Sequence, residues 1–207
     1  MQSCVIISSR PLSAALRRYI APGAFVIAAD AGWLRSMEIG VTPNLALGDF
    51  DSAPAPGPEV ETLILPAEKN DTDTHFAARE ALRRGFGQVT ILGGMGGRPD
   101  HTMANYATLL FLAQNRVENL MADEATEVRC MGPGSLRLQG GPNQYLSVFA
   151  AAGRVQGVTL QGVKYPLHNA QLTMEYPLGV SNEFLAGEAI VSIAAGYVWV
   201  VVTQKDK

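Results

Sequence analysis

The sequence has little of what several common kinds of functional site require. Of its 207 residues only two are cysteines, Cys4 and Cys130, and three are histidines. Two cysteines so far apart exclude a disulfide framework and a zinc motif. The nucleotide-binding motifs GxGxxG and GxxxxGK[ST] are also missing. A functional site must therefore be built from other residue types.

Strong charge and long apolar runs are missing as well. The formal net charge is −3, and no block of lysine or arginine occurs, so nucleic acid and anionic membrane surfaces are not expected partners. The late apolar run "YVWVVV" is too short to span a bilayer, and the first twenty residues do not form a signal peptide. These features predict a soluble, cytoplasmic protein.

What is present is a regular alternation of strand and helix patterns up to about residue 132. This alternation predicts an α/β fold, with a Rossmann-like, mostly parallel sheet and helices on both faces. Short β-like runs separated by glycine, proline and asparagine follow, which predict an antiparallel β-sandwich. We therefore expect two domains, residues 1–132 and 133–207, with the change falling at residues 131–142.

Two helices of the first domain are predicted in some detail. The segment "PLSAALRRYI" is interpreted as a helix with proline near its first turn. The segment "HTMANYATLLFLAQ" is interpreted as an amphipathic helix. Its expected buried face consists of five residues at helical spacing, Met103, Tyr106, Ala107, Leu110 and Phe111.

Acidic residues follow four predicted strands of the first domain. In an open α/β sheet, ligands bind beyond the carboxyl ends of the strands. If the sheet is parallel, all four loops lie along the same edge. The residues concerned are Asp30; Asp49 and Asp51; Lys69, Asp71, Thr72 and Asp73; and Arg98, Asp100 and His101.

Carboxylates gathered at one edge repel one another unless a cation neutralises them. Carboxylate oxygens without a histidine or cysteine set suit Mg²⁺, which proteins hold with one or two carboxylates and substrate phosphates. Lys69 and Arg98 supply positive charge, while the run "GGMGG", which ends at Gly97, allows close approach of the backbone. The helix beginning near Pro99 offers its N-terminus to an anion. The combination indicates chemistry on a magnesium–nucleotide complex.

Each of these features also has a purely structural explanation. Asp30 and Asp71 could be turn formers or helix caps, and Asp73 could complement a helix dipole. His75 and His101 are isolated and are interpreted as surface residues of helices. The convergence of four loops, and no single residue, favours a functional site.

The ordered motifs resemble those of the thiamine pyrophosphokinase family. They are "AADAG", "GVTPNLALGDFDS", "EKNDTDTHFA", "GGMGGRPDHTMANY" and, near the C-terminus, "GVSNEF". The resemblance implies a catalytic α/β domain, a thiamine-binding β-sandwich and a homodimer with its active site at the interface. It also implies transfer of the pyrophosphoryl group of ATP, as co-substrate, to the hydroxyl of thiamine, with Mg²⁺ as cofactor and AMP as product.

The resemblance also implies roles for individual residues. The general base is assigned from position instead: Asp100 is favoured because it neighbours Arg98 and opens a helix, with Asp73 as the alternative. The remaining roles are as follows: Mg²⁺ ligands Asp49, Asp51 and Asp73; ATP contacts Asp30, Lys69, Thr72, Asp73, Gly97 and Arg98; catalytic residues Asp49, Asp51, Asp73, Arg98 and Asp100; and thiamine contacts Asp100, Ser181 and Asn182.

Two alternative functions remain open from the residues alone. The segment "LALGDFDSA" is similar to the strand end of a haloacid-dehalogenase-type phosphatase, in which Asp49 would be the nucleophile. Two βα units precede this segment, which is unusual for that class. The second alternative is a regulatory nucleotide-binding module without catalytic activity.

Overall fold

A computed structural model describes residues 2–51, 54–68 and 70–205. The chain divides into two compact units, Met1–Glu124 and Ala125–Lys207. The division precedes the change of sequence pattern at residues 131–142 because the strand at Thr126–Met131 pairs with the last strand of the chain. That pairing is antiparallel, so the strand belongs to the second unit.

In the part of the first unit that the structure describes, six strands form one parallel sheet. Their order is β6-β5-β1-β2-β3-β4, and every neighbouring pair is parallel. All carboxyl ends therefore lie along one edge, as predicted. The strands are β1 (Ser3–Ile7), β2 (Phe25–Ala29), β3 (Leu45–Gly48), β4 (Glu61–Ile64), β5 (Gln88–Leu92) and β6 (Glu118–Ala122).

The central strands are buried along almost their whole length because side chains on both faces of a parallel sheet are covered. In β1, β2 and β3, only the first residue of β1 and of β2 is partly exposed. The edge strand β4 is exposed at all four positions. Among the described residues, the α-helices between these strands are α1 (Gly32–Glu38), α2 (Asp73–Arg83) and α3 (Pro99–Gln114).

The first predicted helix is a short 3-10 helix, Ala14–Tyr19. The hydroxyl of Ser13 caps it by accepting a hydrogen bond from the backbone N–H of Ala15 at 3.2 Å. Serine at this position satisfies one of the N–H groups that a helix start leaves without a partner. The helix therefore begins later than the sequence pattern indicates.

The buried face predicted for α3 is wrong. Met103 is 72% exposed, whereas Asn105, Thr108, Leu109 and Leu112 are buried. The polar members of this face are tolerated because their groups are hydrogen-bonded. The Asn105 amide donates to the backbone carbonyl of Gly94 at 2.8 Å, and the Thr108 hydroxyl donates to a carbonyl of its own helix.

The second unit is an antiparallel β-sandwich, as predicted. Its sheets have the orders β12-β9-β14-β7 and β11-β10-β13-β8. One apolar cluster with residues from both sheets, including Val148, Leu160 and Val200, forms the core between them. The strands are β7 (Thr126–Met131), β8 (Gly134–Gln139), β9 (Gln144–Ala150), β10 (Arg154–Gln161), β11 (Leu167–Thr173), β12 (Gly179–Glu183), β13 (Glu188–Ile193) and β14 (Val198–Gln204).

Candidate active site

A polar cavity of about 350 Å³ lies at the carboxyl edge of the parallel sheet. Residues from the ends of β1, β2 and β3 and from the starts of α2 and α3 line it. The sequence predicted this convergence from the positions of the strand ends. The lining residues are Ser8, Ser9, Asp30, Asp49, Asp51, Ala67, Asp71, Thr72, Asp73, Thr74, Arg98, His101 and Asn105.

Three carboxylates meet in this cavity. Asp30, Asp49 and Asp51 each offer one oxygen, and these oxygens lie within 4.8 Å of one another. Asp30 is buried, at 8% exposure, whereas Asp51 is exposed. Oδ1 of Asp30 is buried and has no hydrogen-bond partner among the residues that the structure describes. A cluster of hard oxygen donors with an unsatisfied buried carboxylate oxygen suits a divalent cation.

The backbone around β3 brings these carboxylates together. The N–H of Asp30 donates to the carbonyl of Leu47 at 2.7 Å, which holds the ends of β2 and β3 side by side. A Cβ on Gly48 would lie 3.0 Å from the Cα of Asp30, so a glycine permits this approach. The N–H of Asp51 donates to Oδ1 of Asp49 at 3.3 Å, which folds the two acids back on each other.

The residues that begin α2 are arranged around the same cavity. The Thr72 hydroxyl accepts a hydrogen bond from the N–H of His75 at 3.2 Å and caps the helix. Asp73 is the first residue of the helix and lines the cavity. Among the described residues, however, the three-carboxylate group consists of Asp30, Asp49 and Asp51 and does not include Asp73. The sequence had assigned Asp30 to nucleotide contact. Asp71 forms an ion pair with Arg79 at 2.5 Å.

Arg98 and Asp100 bind each other at the start of α3. Nε of Arg98 donates to Oδ1 of Asp100 at 3.2 Å, and Nη2 donates to Oδ2 at 2.5 Å. Both side chains are mostly exposed. The guanidinium lowers the pKa of the Asp100 carboxyl below its usual value. Arg98 lines the cavity, but Asp100 is not among the lining residues.

Of the two remaining predicted nucleotide contacts, the structure describes Gly97 but not Lys69. Lys69 lies outside the described residues. Gly97 has φ +71°, a conformation that favours glycine, and a Cβ there would lie 2.7 Å from Nη1 of Arg10. The glycine run thus brings an arginine side chain against the backbone, a contact that the sequence pattern did not predict.

The predicted thiamine contacts in the second unit have structural partners of their own. Asn182 is buried, and its amide donates to the carbonyl of Tyr165 at 2.7 Å and accepts from the N–H of Tyr165 at 2.9 Å. Ser181 is exposed, with φ +55°, and its N–H donates to the hydroxyl of Ser147 at 3.0 Å. Asn182 therefore fixes the backbone around β12, while Ser181 keeps its hydroxyl at the surface.

Sequence reasoning missed the residues that follow β1. Ser8 and Ser9 line the polar cavity, and the Ser8 hydroxyl is 2.8 Å from the Thr74 hydroxyl. They could have been predicted in the same way as the other site residues, because β1 is also a buried strand followed by polar residues. His101, interpreted as a plain surface residue, also lines the cavity.

His75 lies on the inner side of α2. Its Nδ1 is 3.0 Å from the Thr108 hydroxyl, and its ring packs against Phe111. Burial lowers the pKa of this imidazole. His75 therefore joins two helices and does not line the cavity.

The fold and the cavity together define a class, that of α/β enzymes with their reaction centre at the carboxyl edge of a parallel sheet. The family model "Thiamin pyrophosphokinase, catalytic domain" matches residues 16–121. The model "Thiamin pyrophosphokinase, vitamin B1 binding domain" matches residues 135–198. The chain belongs to the thiamin pyrophosphokinase family, whose members are transferases that make thiamine diphosphate.

Individual relatives agree with this assignment. The chain is 29% identical over 183 residues to thiamine pyrophosphokinase of Bacillus subtilis, which covers 82% of this chain and 83% of the relative. A crystal structure of the Bacillus subtilis enzyme matches with a TM-score of 0.88 at 25% identity over the whole of both chains. The Geobacillus thermodenitrificans structure matches at 0.85 and 27% identity, covering 100% of this chain and 99% of that one.

The alternative functions gain no support from these comparisons. The family models account for both units, including the β-sandwich. Among the described residues, none of the helices is long and apolar enough to cross a membrane.

Proposed function

We propose that this chain transfers the pyrophosphoryl group of ATP to the hydroxyl of thiamine, giving thiamine diphosphate and AMP in a Mg²⁺-dependent reaction. The convergence of Asp30, Asp49 and Asp51 at the carboxyl edge of the sheet carries the proposal. Such a cluster has the donor chemistry that a magnesium–nucleotide complex requires. Membership of the family supplies the substrates.

The three-carboxylate group would hold the magnesium ion. Asp30 contributes a buried oxygen without a hydrogen-bond partner in the described chain, and Asp51 contributes an exposed one. Asp73 faces the same cavity and is the fourth carboxylate available to the ion or its waters. A bound Mg²⁺ would neutralise charge on the phosphate oxygens of ATP. This assignment adds Asp30, which the sequence gave only to nucleotide contact, to the metal ligands and keeps Asp73 as a neighbouring carboxylate of the cavity.

The remaining residues of the cavity would bind and orient the phosphate chain. Arg98 lines the cavity at the N-terminus of α3, where backbone N–H groups and a guanidinium both favour an anion. Thr72 lines the same cavity at the N-terminus of α2. Holding the reactants in line is the main task of a protein in this type of transfer.

Asp73 is the better candidate to accept the proton of the attacking hydroxyl. The ion pair with Arg98 lowers the pKa of Asp100 and engages both of its oxygens. A carboxylate in this state is a weak base. Asp73 lines the cavity beside the carboxylate cluster. Asp100 would instead orient Arg98 until substrate binds.

Thiamine binding by the β-sandwich and dimerisation form part of the same proposal. Ser181 offers an exposed hydroxyl on β12, and Asn182 fixes the backbone beside it. Of ten exposed large apolar residues in the described chain, six lie between residues 165 and 185. Exposed apolar surface of this kind favours association, so we propose a homodimer with the active site at its interface. Light scattering would give the molar mass.

The cytoplasmic location predicted from the sequence also belongs to this proposal. Cys4 and Cys130 are both buried thiols, and burial raises the pKa of each thiol to about 12. Neither thiol is available for a disulfide in the folded state, which is in accord with a reducing compartment.

A single assay tests the reaction. The protein is incubated with Mg²⁺, ATP and thiamine, and the products are quantified by chromatography. Thiamine diphosphate and AMP in equal amounts are expected. Formation of ADP would overturn the pyrophosphoryl assignment, and release of inorganic phosphate with a phospho-aspartate at Asp49 would favour the phosphatase.

A further inference from the structure

We propose that Arg10 is a second cationic contact for the polyphosphate chain of the nucleotide, in addition to Arg98. Arg10 follows β1, at the same sheet edge as the carboxylate cluster. No motif in the sequence singled it out. This inference rests on the proposed function, because it names a further binding residue for the same site.

Arg10 lines a cavity of about 260 Å³ that adjoins the polar cavity. The two cavities share six lining residues, so a long anion in one of them extends naturally into the other. The second cavity adds the glycine run and Arg10 to this shared wall. The shared residues are Ser8, Ser9, Asp30, Arg98, His101 and Asn105.

The segment that carries Arg10 is held at several points. The N–H of Ser8 donates to the carbonyl of Leu92 at 2.8 Å, and the N–H of Arg10 donates to that of Gly93 at 3.3 Å. The carbonyl of Ser9 accepts from Nε of Arg35 at 3.2 Å. An anchored segment loses little conformational freedom on binding, which favours affinity.

The guanidinium of Arg10 lies against the glycine run. A Cβ placed on Gly97 would lie within 3.0 Å of three atoms of this guanidinium. Any larger residue at position 97 would displace Arg10 from the cavity wall. The glycine therefore does more than adopt a positive φ, because it leaves the space that the guanidinium occupies.

The two arginines differ in how their charge is compensated. Arg98 forms a two-point ion pair with Asp100. Arg10 is exposed, and within the described ranges its guanidinium has neither an ion pair nor a side-chain hydrogen bond. An uncompensated guanidinium beside the backbone of a glycine loop is suited to phosphate oxygens.

The test compares Arg10→Gln with Arg17→Gln. Both variants lose one positive charge. Arg17 is a suitable control because it is an exposed arginine of the 3-10 helix and lines neither cavity. We expect Arg10→Gln to raise the KM for ATP by about tenfold, the effect of one charge-assisted hydrogen bond, with a smaller change in kcat. Arg10→Lys should recover part of this loss, and Arg17→Gln should behave as the unchanged protein.

A binding measurement separates this inference from the proposed function. Titration calorimetry with inorganic tripolyphosphate and Mg²⁺ needs no turnover. Arg10→Gln should weaken tripolyphosphate binding and leave the affinity for adenosine, measured by the same titration, unchanged. If the unchanged protein makes no thiamine diphosphate, the proposed function fails, while the tripolyphosphate titration still tests Arg10. Equal tripolyphosphate affinity in Arg10→Gln and the unchanged protein would overturn the role of Arg10.

Discussion

Replacing Asp30 with asparagine should stabilise the metal-free protein and remove its response to magnesium. The backbone at position 30 has φ +49°, a conformation that asparagine adopts as readily as aspartate. The two side chains are almost the same size. The substitution therefore changes one charge and leaves the local backbone as it is.

The magnitude follows from the spacing of the carboxylates. Two unit charges 4.8 Å apart, the largest separation among these oxygens, repel by about 1 kcal/mol in bulk water and by about 3 kcal/mol at an effective dielectric constant of about 20. Asp30 faces two such neighbours, Asp49 and Asp51. Because the cavity is open to solvent, we take the lower figure for each pair. Asp30→Asn should then gain about 2 kcal/mol, a rise in Tm of about 5 °C.

Magnesium should reverse the order of stability, so that the unchanged protein melts at a higher temperature than Asp30→Asn. An ion that binds only the folded state stabilises it, by about 2.7 kcal/mol at a hundred times its Kd, which exceeds the gain of about 2 kcal/mol expected for Asp30→Asn without metal. The unchanged protein should gain this amount, whereas Asp30→Asn should gain little because it has lost a ligand. Differential scanning calorimetry in EDTA and in excess magnesium chloride measures both effects.

Asp71→Asn is the matched control. Asp71 lines the same cavity, but its carboxylate is paired with Arg79. Its loss should lower Tm slightly in EDTA and preserve the response to magnesium. The electrostatic reasoning is refuted if Asp30→Asn melts at or below the unchanged protein in EDTA and still gains stability from magnesium.

Three further predictions concern activity and stability. Asp51→Asn should reduce kcat by several orders of magnitude with an unchanged circular dichroism spectrum; near-normal turnover at saturating Mg²⁺ would contradict its assignment as a ligand. Glu80, paired with two arginines, has its pKa lowered from 4.5 to about 2, which at about 1.4 kcal/mol per unit is worth about 3 kcal/mol. Glu80→Gln should lose roughly 2–3 kcal/mol at pH 7, because one partner is exposed, and urea titrations should show this difference vanishing as the pH falls from 4.5 to 2. Asn105→Ala leaves the buried carbonyl of Gly94 without its amide donor and should cost about 1–3 kcal/mol; an unchanged urea midpoint would show that water replaces this bond.

Much of the first unit was predictable from local sequence patterns. Buried β-branched runs identify strands such as β1 and β5, and the alternation with helices predicts parallel pairing. The start of α3 was readable as well, since Pro99 opens this helix. The motif around Asp49 and the family resemblance indicated the site, and the family comparisons confirmed the resemblance.

Other features could not be predicted because they depend on partners distant in sequence. The buried face of α3 includes Asn105 and Thr108, whose burial is acceptable only because Gly94 and a turn of the helix satisfy their polar groups. A hydrophobicity pattern contains no information about such hydrogen-bond partners, so it predicted that the face with Met103 is buried.

The sequence by itself determined which residues could form a site, because an acid at the end of a parallel strand must lie at one edge of the sheet. Only the tertiary structure decided which acids meet. Asp30 joins Asp49 and Asp51 because its N–H bonds to Leu47 and because Gly48 lets the two strand ends approach. Arg10 also lies at this edge, because the N–H groups of Ser8 and Arg10 bond to the carbonyls of Leu92 and Gly93. A local sequence pattern does not predict these contacts.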